Sequence, residues 1–125
     1  MSAARQACGA AGERVAARWL VSRGWRILAR RFRSGRRDID LVAERDGTVA
    51  FVEVKARHGD RFGDPVQAVD WRKQRQIVRS AVAWVERHGA EGRAYQFDVI
   101  GVLFSSSGRI RVRHLEQAFI ARDLP

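Results

Sequence analysis

The sequence predicts an α/β fold: a mixed five-stranded sheet flanked by helices. Three observations predict it. Two long segments, 3–23 and 64–87, carry apolar residues at helical spacing. Five short segments, 25–32, 39–43, 49–56, 95–104 and 109–113, alternate or run unbroken as strands do. Turn residues separate neighbouring strands: Ser34-Gly35, Asp46-Gly47 and Ser105 to Gly108. The order is helix, three strands, helix, two strands. Short turns make the first three strands an antiparallel meander. The long second helix joins strands three and four, so these two pair in parallel through a right-handed crossover.

Each element has a local reason. In the first helix, Cys8, Ala11, Val15, Ala16, Trp19 and Leu20 form one broad stripe, and Arg14 and Arg18 fall opposite. Glu13 borders the stripe, a place open to a site or to the helix flank. Gly24 stops the helix. The first strand is an imperfect alternation of Trp25, Ile27 and Ala29 with Arg26, Leu28 and Arg30. Segment 58–63, rich in glycine, reads as a mobile loop. For the second helix, Asp64 is the expected N-cap and Pro65 the first helical residue. Val66, Val69, Ile77, Ala81 and Val85 form its stripe, with Trp71 and Trp84 as packing residues. The fourth strand, YQFDVIGVLF, is apolar on both faces and should be central. Asp98 within it is anomalous: either support for a site or a satisfied buried acid. RIRVR, 109–113, is expected at an edge with a basic outer face, and 114–121 as a short final helix.

Length and composition fit a single domain over residues 1–125. No apolar run approaches the roughly 20 residues of a membrane span, so no membrane partner is expected. The N-terminal segment lacks the layout of a signal peptide. One cysteine, Cys8, excludes an internal disulfide and suits the cytoplasm. A formal net charge of +10 favours a polyanionic partner, nucleic acid above all. Arg30, Arg31, Arg33, Arg36 and Arg37 form the densest basic cluster, suited to phosphate contact. Of 24 basic residues, only Lys55 and Lys73 are lysines. Lysine can release its proton when its surroundings demand it, and arginine effectively cannot. Lys55 therefore reads as a chemical residue.

The stretch 36–57, RRDIDLVAERDGTVAFVEVKAR, organises the rest. Asp46-Gly47 turns a hairpin. Along its second strand Val52, Val54 and Ala56 share one face, and Phe51, Glu53 and Lys55 the other. Asp40 on the first strand can lie across from them. Two carboxylates and an ammonium in so apolar a strand pair call for either a divalent metal ion or an ion-pair network.

Glu13 on a first helix, Asp40 on a second strand and Glu53-Val54-Lys55 on a third resemble the PD-(D/E)XK, or restriction-endonuclease-like, nuclease superfamily. Gly12-Glu13, Asp38 to Ala43, Phe51 to Lys55, Phe62-Gly63, Lys73-Gln74 and Phe97 to Ile100 resemble its YraN-like bacterial family, similar to archaeal Holliday junction resolvases. The resemblance implies an endonuclease that hydrolyses phosphodiester bonds in DNA, branched or junction DNA included. Asp40, Glu53, the Val54 carbonyl and Glu13 would hold Mg²⁺ or Mn²⁺, hard ions that prefer oxygen ligands. The catalytic set would be Glu13, Asp40, Glu53 and Lys55. Arg57, Arg72, Lys73 and Gln74 join the arginine cluster as expected nucleic-acid contacts. The chain departs from the family in placing Arg37-Asp38 where Gly-Glu is usual, and from the superfamily in Ile39 where proline stands. DNA is favoured over RNA. Cutting a four-way junction on two strands requires a homodimer, with RIRVR and exposed tryptophans as candidate faces. The alternatives are a non-catalytic nucleic-acid-binding protein that keeps the fold, and a structural protein whose acids form an ion-pair network.

Overall fold

The computed structural model describes residues 3–35, 37–63, 69–89 and 92–121. Its elements are α1 (Ala3–Ser22), β1 (Arg26–Ser34), β2 (Arg37–Arg45), β3 (Thr48–His58), α2 (Trp71–His88), β4 (Ala94–Phe104) and β5 (Ile110–Phe119). The five strands form one sheet in the order β1-β2-β3-β4-β5. β1, β2 and β3 pair antiparallel, β3 and β4 parallel, and β4 and β5 antiparallel. The predicted α/β architecture is therefore the one observed.

Strand parity divides the sheet into two cores. On one face Ala16, Ala17 and Leu20 of α1 pack on Leu41, Ala43, Ala50, Val52, Ile100 and Val102. On the other, Ile77, Ala81 and Trp84 of α2 pack on Val42, Val49, Phe51, Phe97 and Val99. Phe51 is the centre of the second core, with its ring 5.7 Å from Trp84 and 5.5 Å from Phe97. β3 and β4 are covered by both cores, which explains their nearly continuous apolar sequence.

Gly12 sets the distance between α1 and β3. A Cβ at Gly12 would collide with the Ala56 Cβ, and Val54 Cγ1 lies only 3.8 Å from it. Glycine here lets the helix lie directly on the strand and brings the next residue, Glu13, to the sheet.

Four expectations need correction. Segment 114–119 is strand, not helix: β5 runs to Phe119, with an irregularity against β4 between Phe97 and Val99. Asp98 causes it. Its Oδ1 accepts from the Gln117 backbone N–H at 3.0 Å, and Gln117 takes φ 52°. Its Oδ2 lies 2.8 Å from His114 Nε2, and Gln96 Nε2 donates to both oxygens. Asp98 is thus a satisfied buried acid. α2 begins at Trp71, capped by Asp70, whose side chain accepts from the Lys73 N–H at 2.9 Å. The expected cap Asp64, with Pro65 and Val66, lies outside the described residues. Segment 59–63 is anchored: Asp60 accepts from the Ser106 N–H at 3.1 Å and from its hydroxyl at 2.8 Å. Finally, Trp84 packs as expected at 3% exposure, but Trp71 is 61% exposed.

Candidate functional site

The site lies where β2 and β3 part. Their ladder runs from Arg45↔Thr48 to Leu41↔Val52 and goes no further. β2 continues as the partner of β1 alone, to Ser34↔Arg37. Val54 would have met β2 next, and its N–H instead donates to Asp40 Oδ2 at 2.8 Å. A side chain has taken the place of a backbone acceptor. The N–H and C=O of one residue point to the same side of a strand, so the Val54 carbonyl also faces this fork.

Glu53 faces α2. It is 5% exposed, and its Oε1 lies 3.6 Å from Lys55 Nζ and 3.6 Å from Lys73 Nζ. The only two lysines of the chain converge on one oxygen atom. These distances mark ion pairs rather than tight hydrogen bonds. Glu53 Oε2 is buried with no hydrogen-bond partner. Such orphans are rare among buried polar atoms.

Glu13 approaches from the α1 side. Its Oε2 accepts from Arg31 Nε at 3.0 Å, and its side chain is 20% exposed. Glu13 therefore turns towards the hairpin rather than to solvent. Arg31 adopts φ 49°, a left-handed conformation uncommon outside glycine. That local bend on β1, alongside Asp40, carries its guanidinium to Glu13.

The carboxyls do not share charge equally. Burial pushes Asp40 up to about 7, and the nearby charges of Glu53 and Glu13 add to the effect, while the Val54 N–H and Lys73 oppose it. Burial also raises Glu53, and the ammoniums of Lys73 and Lys55 hold it down. Asp40 thus keeps its proton towards neutrality, while two cations oppose the rise at Glu53.

The residues of the expected catalytic set are thus brought to one fork: Asp40 and Glu53 at its centre, Lys55 on Glu53, and Glu13 at the rim on Arg31. Lys73 was expected as a nucleic-acid contact only. Its place on Glu53 was available to the same reasoning that singled out Lys55, the scarcity of lysine. Arg31, expected to meet phosphate, pairs with Glu13 and remains exposed. No local pattern signals a left-handed residue within a strand. Gln74 does not reach the fork: its Nε2 donates to the Val69 carbonyl at 3.0 Å and fastens the start of α2. Asp38 pairs with Arg33 at 3.2 Å at the surface. Arg30, Arg57 and Arg72 are exposed. Arg36 and the side chain of Arg37 lie outside the described residues.

Among the described residues, no three acidic, histidine or cysteine side chains form a closed metal cage. Mg²⁺ does not require one. It is commonly held by one or two carboxylates, several waters and substrate phosphates. The orphaned Glu53 Oε2, Asp40 beside it and the inward Val54 carbonyl are hard oxygen donors of that kind. Two acids whose repulsion raises a pKa are also relieved by a cation. The donor set fits a divalent ion.

The comparisons with known proteins reach the whole sheet. A UPF0102 protein of Symbiobacterium thermophilum is 46% identical over 115 residues, covering 90% of this chain and 96% of the relative. UPF0102 proteins of Trichlorobacter lovleyi and Myxococcus xanthus are 44% and 40% identical, covering 91% and 95% of this chain and 91% and 94% of theirs. Residues 12–102, from the glycine that seats Glu13 to near the end of β4, match the uncharacterised protein family UPF0102, and the chain belongs to that family.

Proposed function

We propose that this protein is a metal-dependent endonuclease acting on DNA, with the fork between β2 and β3 as its active site. One observation carries the reading. Glu53 is buried with both lysines on one oxygen and no partner on the other. A stabilising ion-pair network would close both.

Asp40, Glu53 and the Val54 carbonyl would hold Mg²⁺ or Mn²⁺. The bound ion would polarise a phosphoryl oxygen and lower the pKa of a water. Asp40 must lose its proton to take part, which sets the acid limit of activity. Lys55 stands beside Glu53 with freedom to orient an attacking water or to stabilise the developing negative charge. Lys73 keeps Glu53 ionised from the opposite side. Glu13, through its pair with Arg31, can orient water or phosphate at the rim. Exposed Arg30 and Arg57 extend positive potential away from the fork, suited to backbone contact without base reading.

A second reading has one observation on its side. Glu13 is paired with Arg31, so of the three fork carboxylates Asp40 and Glu53 alone stand free of arginine among the described residues. A nucleic-acid-binding protein that keeps this fold without cutting would fit that arrangement.

The test is incubation with labelled four-way junction, flap, single-stranded and linear duplex DNA, in Mg²⁺, Mn²⁺ or EDTA. Lys55→Ala and Glu53→Gln run in parallel as folded controls. Cutting that needs metal and vanishes in both variants supports the enzyme. Salt-sensitive binding without cutting, unchanged by Lys55→Ala, supports the binding module instead.

A further inference from the structure

Trp71 is the first residue of α2 and is 61% exposed, whereas Trp25 and Trp84 are buried at 4% and 3%. An exposed tryptophan forfeits most of its burial energy, so its position calls for an explanation. Arg72 and Arg75 hold their guanidinium carbons 5.6 and 5.7 Å from its ring centroid. Arg75 and Arg79 follow at i+4 and i+8, on the same stripe of the helix. The ring borders two grooves. One, of about 470 Å³, is lined by Trp71, Gln74, Arg75, Val78, Phe119 and Ile120, the last of these 87% exposed. The other, of about 240 Å³, lies between Trp71, Arg72, Arg75 and Arg79.

We infer that this patch is a stacking platform for an unpaired nucleobase of a single-stranded segment, with Arg72, Arg75 and Arg79 on its phosphates. The argument is one of complementarity. Proteins that hold single strands combine aromatic rings with cationic grooves, and arginine contributes to both. A protein partner would be met by an apolar ring with a polar rim; here two guanidiniums lie against the ring and a third, Arg79, lines the grooves beside it, on a chain of net charge +10. Placement supports the same occupant. Lys73, two residues on, turns to Glu53 on the opposite side of α2. A helix with its side chains is about 10–12 Å across, a distance that a few nucleotides of unpaired strand can span. The patch therefore holds a strand end or bubble whose scissile phosphate lies at the fork. This rests on the proposed nuclease reading for what happens at the fork, but the stacking itself does not.

The test uses an oligothymidylate 12-mer and a blunt 12-bp duplex in EDTA, read by tryptophan fluorescence and by anisotropy of labelled DNA. The single strand should quench wild-type fluorescence. Trp71→Ala should weaken single-strand binding by about 5- to 150-fold, the effect of losing one stacked base. It should change duplex binding less than twofold. Trp71→Phe should restore most of the loss. The melting temperature should not move, because the ring is exposed. Equal single-strand affinity in Trp71→Ala overturns the inference, as does an equal loss for duplex. A wild-type dimer in sedimentation that Trp71→Ala converts to monomer also overturns it, in favour of a contact between copies. The two readings fail separately. Unaltered binding in Trp71→Ala beside intact metal-dependent cutting removes the platform alone. Trp71-dependent binding with no cutting in any metal removes the nuclease alone.

Discussion

Asp40 makes the apo protein less stable at neutral pH than in mild acid. Its carboxyl is raised from 3.8 to about 7 in the native state, chiefly by burial and then by Glu53. The unfolded chain releases this proton near its ordinary value. Between about pH 4 and pH 7 the native state therefore binds more protons than the unfolded state. Stability falls as pH rises through that window and is flat above it. The shift is roughly three units, and at 1.36 kcal/mol each this is about 4 kcal/mol. Asp40→Asn removes the charge and keeps an oxygen to accept from the Val54 N–H. Its stability relative to wild type should be near zero at pH 4 and reach about 4 kcal/mol at pH 8, on the order of 10 °C in melting temperature.

Thermal or urea unfolding in EDTA, at half-unit steps from pH 4 to 8.5, measures the difference curve. The other groups around Asp40, namely Lys55 on β3, Glu13 on α1, Lys73 on α2 and Arg31 on β1, are common to both proteins, while Glu53 titrates together with Asp40 and is relieved in the variant. Mg²⁺ should return the lost stability to wild type at pH 8 and not to Asp40→Asn, since a cation favours the ionised carboxyl. A flat difference curve would refute the assignment of the proton to Asp40. A variant less stable than wild type at pH 8 would refute the whole account and favour a structural ion-pair network.

Three further outcomes follow from the geometry. Lys73→Ala removes a cation that holds down both Asp40 and Glu53, so the acid limb of the pH–rate profile should move to higher pH; an unmoved limb means Lys73 does not tune the pair. Gly12→Ala gains up to about 1 kcal/mol of helix propensity but drives a methyl into Ala56, and a net loss of about 1–3 kcal/mol in urea denaturation is expected. Asp98→Ala strands His114 and the Gln117 N–H in the interior and should cost about 3–5 kcal/mol by calorimetry; a loss below about 1 kcal/mol would mean that β5 holds its shape without Asp98.

Where sequence and structure agree, the deciding forces are local. Asp46-Gly47 closes the β2–β3 hairpin by its own turn preference, and alternation assigns Val52 and Phe51 to opposite cores. Where they differ, the deciding contact lies far along the chain. His114 to Phe119 has no strand-specific pattern; Asp98 on β4 bends it into one by accepting from Gln117. Asp64-Pro65 and Asp70-Trp71 are both plausible helix starts in sequence, and only the hydrogen bond from the Lys73 N–H chooses Asp70. Trp71 reads as core because tryptophan is usually core. Helical spacing already sets it off the side that Ile77, Ala81 and Trp84 turn inward. At the site, Asp40, Glu53 and Lys55 were visible as charges that an apolar hairpin should not carry. The pairing Arg31–Glu13 joins different elements and was not; for Lys73–Glu53 the scarcity of lysine was the one signal.

The chain contains its own control for reading Glu53. Asp98 is fully buried, and every direction around its carboxylate is occupied: Gln96, His114 and the Gln117 N–H. That is what a buried acid looks like when its task is to hold a strand. Glu53 is buried almost as deeply, yet its cations stand at 3.6 Å and its second oxygen has no partner. An unfinished carboxylate costs stability, about 1–3 kcal/mol for a buried group left unsatisfied and more when charged. The same fold satisfies Asp98 completely, so the deficit at Glu53 is not a limit of what this sheet can supply. The cations beside it are lysines in a chain that otherwise uses arginine, and lysine holds its carboxylate less rigidly than the arginine fork. Incomplete pairing, loose cations and a carbonyl facing the same gap are the features on which the proposed metal site rests.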